Sequence, residues 1–243
     1  MATSYEIFKK EITDFLKYSF DKKATILDVG AGEGTYLPFL EDYFTNIEAV
    51  EVWQPNIIKY DLENRYKKVY NVDIVDFKYD YYDIIIFGDI IEHLDVKDAQ
   101  KVLKYALTRC KQLVVAVPYK AKQGIEEGNV WEIHKQDDLT DEIMKERYPY
   151  LVNVWKDWKY GYYVKEVKQE NMKNYIVKAL IPFNDTVEKT EYGTDTPRKV
   201  DDIWECTKER YEFLNSKGAV MLMGINEIEE EKPKKKRGVK NGK

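Results

Sequence analysis

Short continuous apolar runs alternate with amphipathic segments over the first two thirds of the chain. Continuous apolar runs are typical of parallel strands that are buried on both faces of a sheet. The predicted strands are the segments 26–29, 48–52, 69–74, 82–89 and 112–118. Apolar residues recur at helical spacing over 4–18, where Ser4 is a candidate N-cap, and over 97–109. This alternation predicts an α/β fold with a mainly parallel sheet.

The chain changes character after the fifth predicted strand. Residues 119–139 form a long predicted loop that contains two glycines, and a short predicted helix ends at Arg147. Residues 151–158 and 162–167, on either side of 159–161, then predict an antiparallel hairpin. This hairpin is expected to close the sheet.

Three glycines follow the first predicted strand at alternate positions. The strand ends at Asp28 and Val29, and Gly30, Gly32 and Gly34 come directly after it. Glycine permits a positive φ and lets a ligand approach the main chain closely. An amphipathic run begins immediately afterwards, and the first turn of a helix presents free N–H groups. The strand, turn and helix together predict a site for a nucleotide-like ligand.

The glycine spacing is G-x-G-x-G, which differs from the dinucleotide fingerprint G-x-G-x-x-G. It resembles motif I of class I S-adenosylmethionine (SAM) dependent methyltransferases, and the run 88–94, GDIIEHL, resembles motif IV of that family. The resemblance covers roughly residues 1–167. It implies a Rossmann-like, seven-stranded methyltransferase sheet with SAM as the cofactor. In that family the glycine turn packs against the methionine and ribose parts of SAM and binds no phosphate.

The resemblance also implies where the cofactor would lie. Glu51, at the end of the second strand, would accept hydrogen bonds from both ribose hydroxyls. Asp73 would accept one from the adenine amine, and Ile74 would cover the ring. The predicted cofactor-binding residues are Asp28, Gly30, Gly32, Glu51, Val52, Asp73, Ile74 and Asp89.

The chain's two histidines fall in the loops after the fourth and fifth predicted strands. Loops at the carboxyl ends of the strands are where α/β sheets bind ligands. Histidine, with an unperturbed pKa of about 6.5, is suited to act as a general base at neutral pH. We therefore predict His93, His134 and Glu92 as catalytic residues. The alternative is that Glu92 and His93 hold the loop and the entry to the next helix.

A metal site is a further hypothesis for the same loops. The spacing Asp89-x-x-Glu92-His93, with His134 as a fourth ligand, is similar to the E-x-x-E-H pattern of metal-dependent RNA 3′-end 2′-O-methyltransferases. Two carboxylates and two imidazoles suit Mg²⁺, Mn²⁺ or Zn²⁺, and a metal would bind both hydroxyls of a diol. Aspartate replaces the first glutamate of that pattern. Similar acidic-histidine loops also occur in methyltransferases without a metal.

The leading functional hypothesis is an O-directed, SAM-dependent methyltransferase that acts on a polar small molecule or glycan-type acceptor. Residues 128–134 resemble a G-N-x-x-E-x-H loop of methyltransferases that act on sugars and other polar small molecules, which implies that Asn129, Glu132 and His134 line the acceptor pocket. The alternatives are an RNA ribose 2′-O-methyltransferase with a divalent metal and a non-catalytic SAM-binding accessory protein. No Asp/Asn-Pro-Pro-Tyr/Phe motif follows the fourth strand, which argues against methylation of DNA amino groups.

Three units are predicted along the chain. They are a methyltransferase domain over 1–170, a small α+β C-terminal module over 175–225, and a disordered charged tail over 226–243. The segment 206–220 resembles small C-terminal modules of phage and prophage proteins, which implies no activity. The basic block 232–240 is typical of nuclear-localisation signals and nucleic-acid-binding arms, and the alternative is a solvated charged tail.

Composition restricts the remaining classes of function. The 243 residues carry a formal net charge of −5, which argues against a generally nucleic-acid-binding surface. Cys110 and Cys206 are far apart, which indicates a reducing compartment and no disulfide framework. No apolar run has the length of a membrane span, and residues 1–6 lack the features of a secretory signal. Together these features predict a cytoplasmic protein without a membrane partner.

Overall fold

A computed structural model describes residues 6–165, 173–189, 195–206, 211 and 214–227. Its main sheet contains seven strands: β1 (Thr25–Val29), β2 (Asn46–Val50), β3 (Lys68–Tyr70), β4 (Tyr82–Gly88), β5 (Cys110–Pro118), β6 (Leu151–Lys156) and β7 (Tyr160–Lys165). Their order is β3-β2-β1-β4-β5-β7-β6, with β7 antiparallel to both of its neighbours. Strands β1 to β5 pair with one another in parallel. The predicted seven-stranded α/β sheet is confirmed.

Helices cover both faces of this sheet. They are α1 (Lys9–Ser19), α2 (Leu37–Leu40), α3 (Gln54–Lys59), α4 (Leu62–Arg65), α5 (Val96–Leu107) and α6 (Asp141–Arg147). Side chains alternate between the two faces of β4, as they do in any strand. Ile84 and Ile86 pack with apolar residues of α1 and α2, whereas Ile85 and Phe87 pack with those of α5. This three-layer arrangement explains the continuous apolar run in β4.

Two local predictions differ from the structure. Helix α1 begins at Lys9, after Phe8 in the left-handed conformation with φ 60°, and Ser4 lies outside the described residues. The hairpin turn before β7 comes two residues earlier than predicted. The Asp157 Oδ1 accepts hydrogen bonds from the backbone N–H groups of Lys159 and Tyr160, at 2.7 and 2.8 Å. Such an aspartate turn fixes the position of the bend.

Five further strands follow in the C-terminal part: β8 (Lys173–Ala179), β9 (Phe183–Lys189), β10 (Asp195–Arg198), β11 (Ile203–Cys206) and β12 (Val220–Glu227). Strands β11, β8 and β12 form an antiparallel sheet in that order, and β9 pairs with β10. A turn-rich stretch is expected over 182–197, because proline, asparagine and aspartate are frequent there; its described residues instead include the paired strands β9 and β10. Most of the predicted helix 208–216 and the tail from 228 onward lie outside the described residues.

The small sheet packs directly against α1. Gly224 on β12 lies so close to the Phe15 ring that a Cβ atom there would come within 1.8 Å of it. Val177 and Met223 are fully buried in the same hydrophobic cluster as Phe15. The C-terminal sheet therefore shares a core with the first part of the chain, and the predicted domain boundaries stay predictions. Within the described ranges, no helix combines the length and apolarity needed to cross a membrane.

Candidate active site

A cleft of about 1490 Å³ opens at the carboxyl ends of the parallel strands. Ligands bind at this edge in open α/β sheets. Its walls are the glycine turn after β1, the loops after β2 and β3, and the long loops after β4 and β5. A typical small-molecule pocket measures about 300–1,000 Å³. The cleft is therefore large enough for a cofactor and a second molecule beside it.

The glycine turn forms one wall through backbone that only glycine adopts easily. Gly30 and Gly32 have φ angles of 68° and 53°. A Cβ atom on Gly30 would lie 1.8 Å from the Ile90 side chain, so this glycine lets the loop after β4 pack closely. A Cβ atom on Gly32 would have only the Gly30 carbonyl oxygen within 4 Å, at 3.8 Å. Gly32 thus faces the open space where a ligand would lie.

Glu51 fixes the glycine turn to the end of β2. Its carboxylate accepts hydrogen bonds from the backbone N–H groups of Gly32 and Trp53, both at 2.8 Å. Glu51 is 5% exposed, and burial raises the pKa of its carboxyl group. Each oxygen accepts one of these bonds and keeps a second lone pair. The predicted contact with two ribose hydroxyls is compatible with this geometry.

Seven of the eight predicted cofactor-binding residues line the cleft. Asp73 accepts a hydrogen bond from the Val75 N–H at 2.9 Å, which shapes the turn that presents Ile74. Asp28 is different, because it is 2% exposed and lies beneath the glycine turn. It accepts a hydrogen bond from the Tyr66 hydroxyl at 2.6 Å, and burial raises its pKa to about 6.

Tyrosines from β7 support the floor of the cleft. The Tyr160 hydroxyl donates to Asp89 Oδ1 at 2.5 Å, and Asp89 itself has a left-handed backbone with φ 56°. The Tyr36 and Tyr162 hydroxyls are hydrogen-bonded at 3.0 Å. The Tyr36 ring lies over Gly88, where a Cβ atom would come within 2.2 Å of it. None of these tyrosines was predicted, because their partners are distant in sequence.

Lys9 is a charged residue of the cleft that sequence reasoning missed. It is 1% exposed, lines the cleft, and places its ammonium group 5.0 Å from the centroid of the Tyr36 ring. Burial lowers the pKa of Lys9, whereas the charges of Asp89 and Asp28 act in the opposite direction. Among the described ion pairs, none involves this ammonium group. The signal was a lysine in phase with the apolar face of α1.

Glu92, His93 and His134 meet at the other end of the cleft. The two imidazole rings lie edge to face with centroids 4.6 Å apart, and one ligand atom from each of the three residues lies within 4.8 Å of the others. Glu92 is fully buried, and neither carboxyl oxygen has a hydrogen-bond partner in the described part of the chain. Burial raises the pKa of Glu92, and the nearby Asp89 charge acts in the same direction. Asp89, the fourth residue of the predicted metal set, is outside this group.

The two histidines have different environments. His134 Nδ1 lies 2.7 Å from the Ala121 carbonyl oxygen. A carbonyl only accepts, so this nitrogen carries a proton, and in the neutral imidazole Nε2 then carries the lone pair. Burial, together with the neighbouring His134, lowers the pKa of His93 to about 4. His93 is therefore neutral at physiological pH.

The loop after β5 is held together by its own polar side chains. Asn129 accepts a hydrogen bond from the Trp131 N–H at 3.0 Å and donates one to Glu132 at 3.1 Å. Gln123 donates to the other Glu132 oxygen at 2.8 Å. These bonds hold the predicted acceptor loop in one conformation. They also fix the side chain of Glu132, which lines the cleft.

The family model described as "Methyltransferase domain" matches residues 3–152 of the chain. The chain belongs to the methyltransferase domain family. This membership confirms the prediction of a class I SAM-dependent methyltransferase, an enzyme with SAM as its cofactor. No curated protein matches the sequence. The resemblance of the segment 206–220 to phage modules stays a prediction.

Three solved structures, two of them described as methyltransferases, share the fold. A SAM-dependent methyltransferase from Clostridium acetobutylicum ATCC 824 is 13% identical, with 67% of this chain and 93% of that chain covered and a TM-score of 0.50. The Burkholderia thailandensis 1,6-didemethyltoxoflavin-N1-methyltransferase, bound to 1,6-didemethyltoxoflavin and S-adenosylhomocysteine (SAH), is 14% identical, with 66% and 78% covered and a TM-score of 0.50. A DhpI–SAH complex is 11% identical, with 66% and 84% covered and a TM-score of 0.53. These identities are evidence for the fold of the methyltransferase and leave its acceptor to be inferred from its own cleft.

The buried His93 predicts a pH-dependent stability. Its pKa is about 4 in the folded protein and 6.5 for an ordinary histidine, so the unfolded state binds more protons between these values. Stability should therefore fall as the pH decreases through this window. His93→Gln removes that loss. Urea titrations measure the difference in unfolding free energy between the variant and the parent. From about pH 7.5 to about pH 5 this difference should shift by about 1–2 kcal/mol in favour of the variant. An equal difference between the two proteins at both pH values would contradict the buried, neutral state.

Proposed function

We propose that this methyltransferase transfers the methyl group of SAM to a hydroxyl oxygen of a polar small molecule or glycan-type acceptor. The orientation of His134 carries the proposal. Its Nδ1 donates to the Ala121 carbonyl, which leaves the Nε2 lone pair available in the cleft. A hydroxyl oxygen must lose its proton as it accepts a methyl group, and a fixed imidazole lone pair is suited to remove it.

The cleft suggests one orientation for the cofactor. Adenine would lie at Asp73 and Ile74, and the ribose at Glu51, with the glycine turn close to the sulfur. The amino-acid end would then reach the carboxyl ends of β1 and β4, where Lys9 lies. A buried ammonium group without an ion-pair partner is unfavourable, and the carboxylate of SAM would supply one. This orientation turns the methyl group toward the loops after β4 and β5.

The transfer is then a single displacement. When bound, SAM would supply the methyl group: the acceptor oxygen would bond to the methyl carbon while the carbon–sulfur bond broke and SAH left. The hydroxyl proton passes to His134 Nε2. A Glu92 oxygen lies within 4.8 Å of a His134 ring nitrogen, so this carboxyl group would favour the imidazolium that forms. Neutral His93 would serve as a hydrogen-bond partner that positions the acceptor.

A metal-dependent ribose 2′-O-methyltransferase is the second candidate, and the meeting of Glu92, His93 and His134 favours it. The donors fit a divalent cation, because both Glu92 oxygens and His93 Nδ1 have no partner in the described part of the chain. One carboxylate and two imidazoles suit Zn²⁺ or Mn²⁺ better than Ca²⁺. When bound, the ion would hold a diol and lower the pKa of one hydroxyl.

The role of Lys9 is tested with two ligands that differ only in the amino-acid part. Lys9→Met should weaken SAH binding about tenfold or more, because the carboxylate loses its counterion. Binding of 5′-methylthioadenosine, which lacks the amino acid, should not change. Isothermal titration calorimetry measures both. The control is Lys10→Met, the exposed neighbour that pairs with Asp14, which should leave both affinities unchanged. Equal losses for both ligands in Lys9→Met would indicate a purely structural role.

The histidines are tested by turnover on an acceptor identified through transfer of a radiolabelled methyl group. His134→Ala should lower turnover by about 100-fold while SAH affinity stays near normal, since the base is lost and the cofactor site is intact. With base catalysis alone, EDTA has no effect. With a metal, EDTA inhibits the parent and Mn²⁺ or Zn²⁺ restores activity. Full turnover in both His134→Ala and His93→Ala would contradict both mechanisms.

A further inference from the structure

Acidic side chains outnumber basic ones in the acceptor half of the cleft, by which we mean the lining residues that follow β4 and β5. The acids are Asp89, Glu92, Asp98, Glu126, Glu127 and Glu132, and the basic residues are Lys122 and Lys135. An excess of one charge in a concave site attracts ligands of the opposite sign and repels those of the same sign.

The lysines near this half form ion pairs with acids other than Glu92 and Glu132. Lys135 pairs with Asp95 at 3.3 Å, and Lys122 lies 4.0 Å from Asp137. Neither aspartate lines the cleft. Lys59, on α3, pairs with Glu127 at the mouth of the cleft at 2.9 Å. Across the described residues, no ion pair involves Glu92 or Glu132.

The hydrogen-bond partners of Glu132 in the described part of the chain fix its position. They are the side-chain amides of Gln123 and Asn129, which are neutral donors. Glu92 is fully buried at the cleft wall, and its carboxyl oxygens have no partner in the described part of the chain. A buried carboxyl group without a donor is unfavourable unless a ligand supplies one.

We propose that the acceptor carries a protonated amine beside its reacting hydroxyl, as an amino sugar or amino alcohol does, and that Glu132 and Glu92 bind this ammonium group. The inference rests on the proposed O-methyl transfer and names the class of its acceptor. Acceptors that carry phosphate or carboxylate meet the excess negative charge of the cleft and are disfavoured. The same charge disfavours RNA, since its phosphates would approach these acids.

The test uses the full chain, treated with EDTA and saturated with SAH, and three probes that share a pyranose ring. Glucosamine is cationic, glucose is neutral and glucuronate is anionic. Dissociation constants are measured in titrations that are monitored by saturation-transfer NMR. We expect glucosamine to bind about tenfold more tightly than glucose, and glucuronate to bind more weakly than glucose.

Glu132→Gln keeps the size of the side chain and removes its charge, so the preference for glucosamine should disappear. Glu146→Gln, an exposed change on α6 outside the cleft, is the matched control and should keep the preference. Equal binding of the probes, tighter binding of glucuronate, or no binding of any probe would overturn the proposal. So would a preference that survives Glu132→Gln, or a site that binds Zn²⁺ and not glucosamine. Absence of SAH binding would instead overturn the proposed methyl transfer.

Discussion

The hydrogen bond from the Gly32 N–H to the Glu51 carboxylate joins the ends of β1 and β2. The cofactor half of the cleft, lined by the glycine turn and the loops after β2 and β3, depends on this bond. It holds a turn whose backbone angles only glycine adopts without strain. It also directs a buried carboxylate toward the place where the ribose would lie. Because Glu51 accepts a second backbone bond from Trp53, the loop after β2 is fixed in the same step. Two sequence-distant segments thus form one rigid wall.

Helix α1, which carries Lys9, depends on packing contacts that reach the C-terminal sheet. Gly224 on β12 lets the Phe15 ring lie against the strand, and Phe15 belongs to the same helix as Lys9. The position of a buried cation in the cleft therefore depends on a strand more than two hundred residues later in the chain. This packing gives the C-terminal segment a structural connection to the cofactor half.

The sequence was informative wherever a local pattern determines the structure. The apolar run of β4 and the glycine turn are recognisable because burial on both faces and positive φ angles restrict residue types. The meeting of His93 and His134 was predictable because loops after adjacent parallel strands share one edge of the sheet. Asp28 was placed in the cofactor site, yet its position is set by Tyr66, 38 residues away. Tyr160 was missed for the same reason, since a single side chain carries no sign of its distant partner. Lys9 did carry a signal, because it is in phase with the apolar face of α1.

The central claim is that a methyltransferase cofactor binds against the glycine turn. Its most direct test is titration calorimetry of SAH with Gly32→Val and Gly218→Val. Both glycines have positive φ, 53° and 64°, so both changes strain the backbone, but only Gly32 lines the cleft. We predict a dissociation constant on the order of 1 μM for the parent and for Gly218→Val, and no measurable binding for Gly32→Val. Binding by Gly32→Val that equals the parent's would contradict the account.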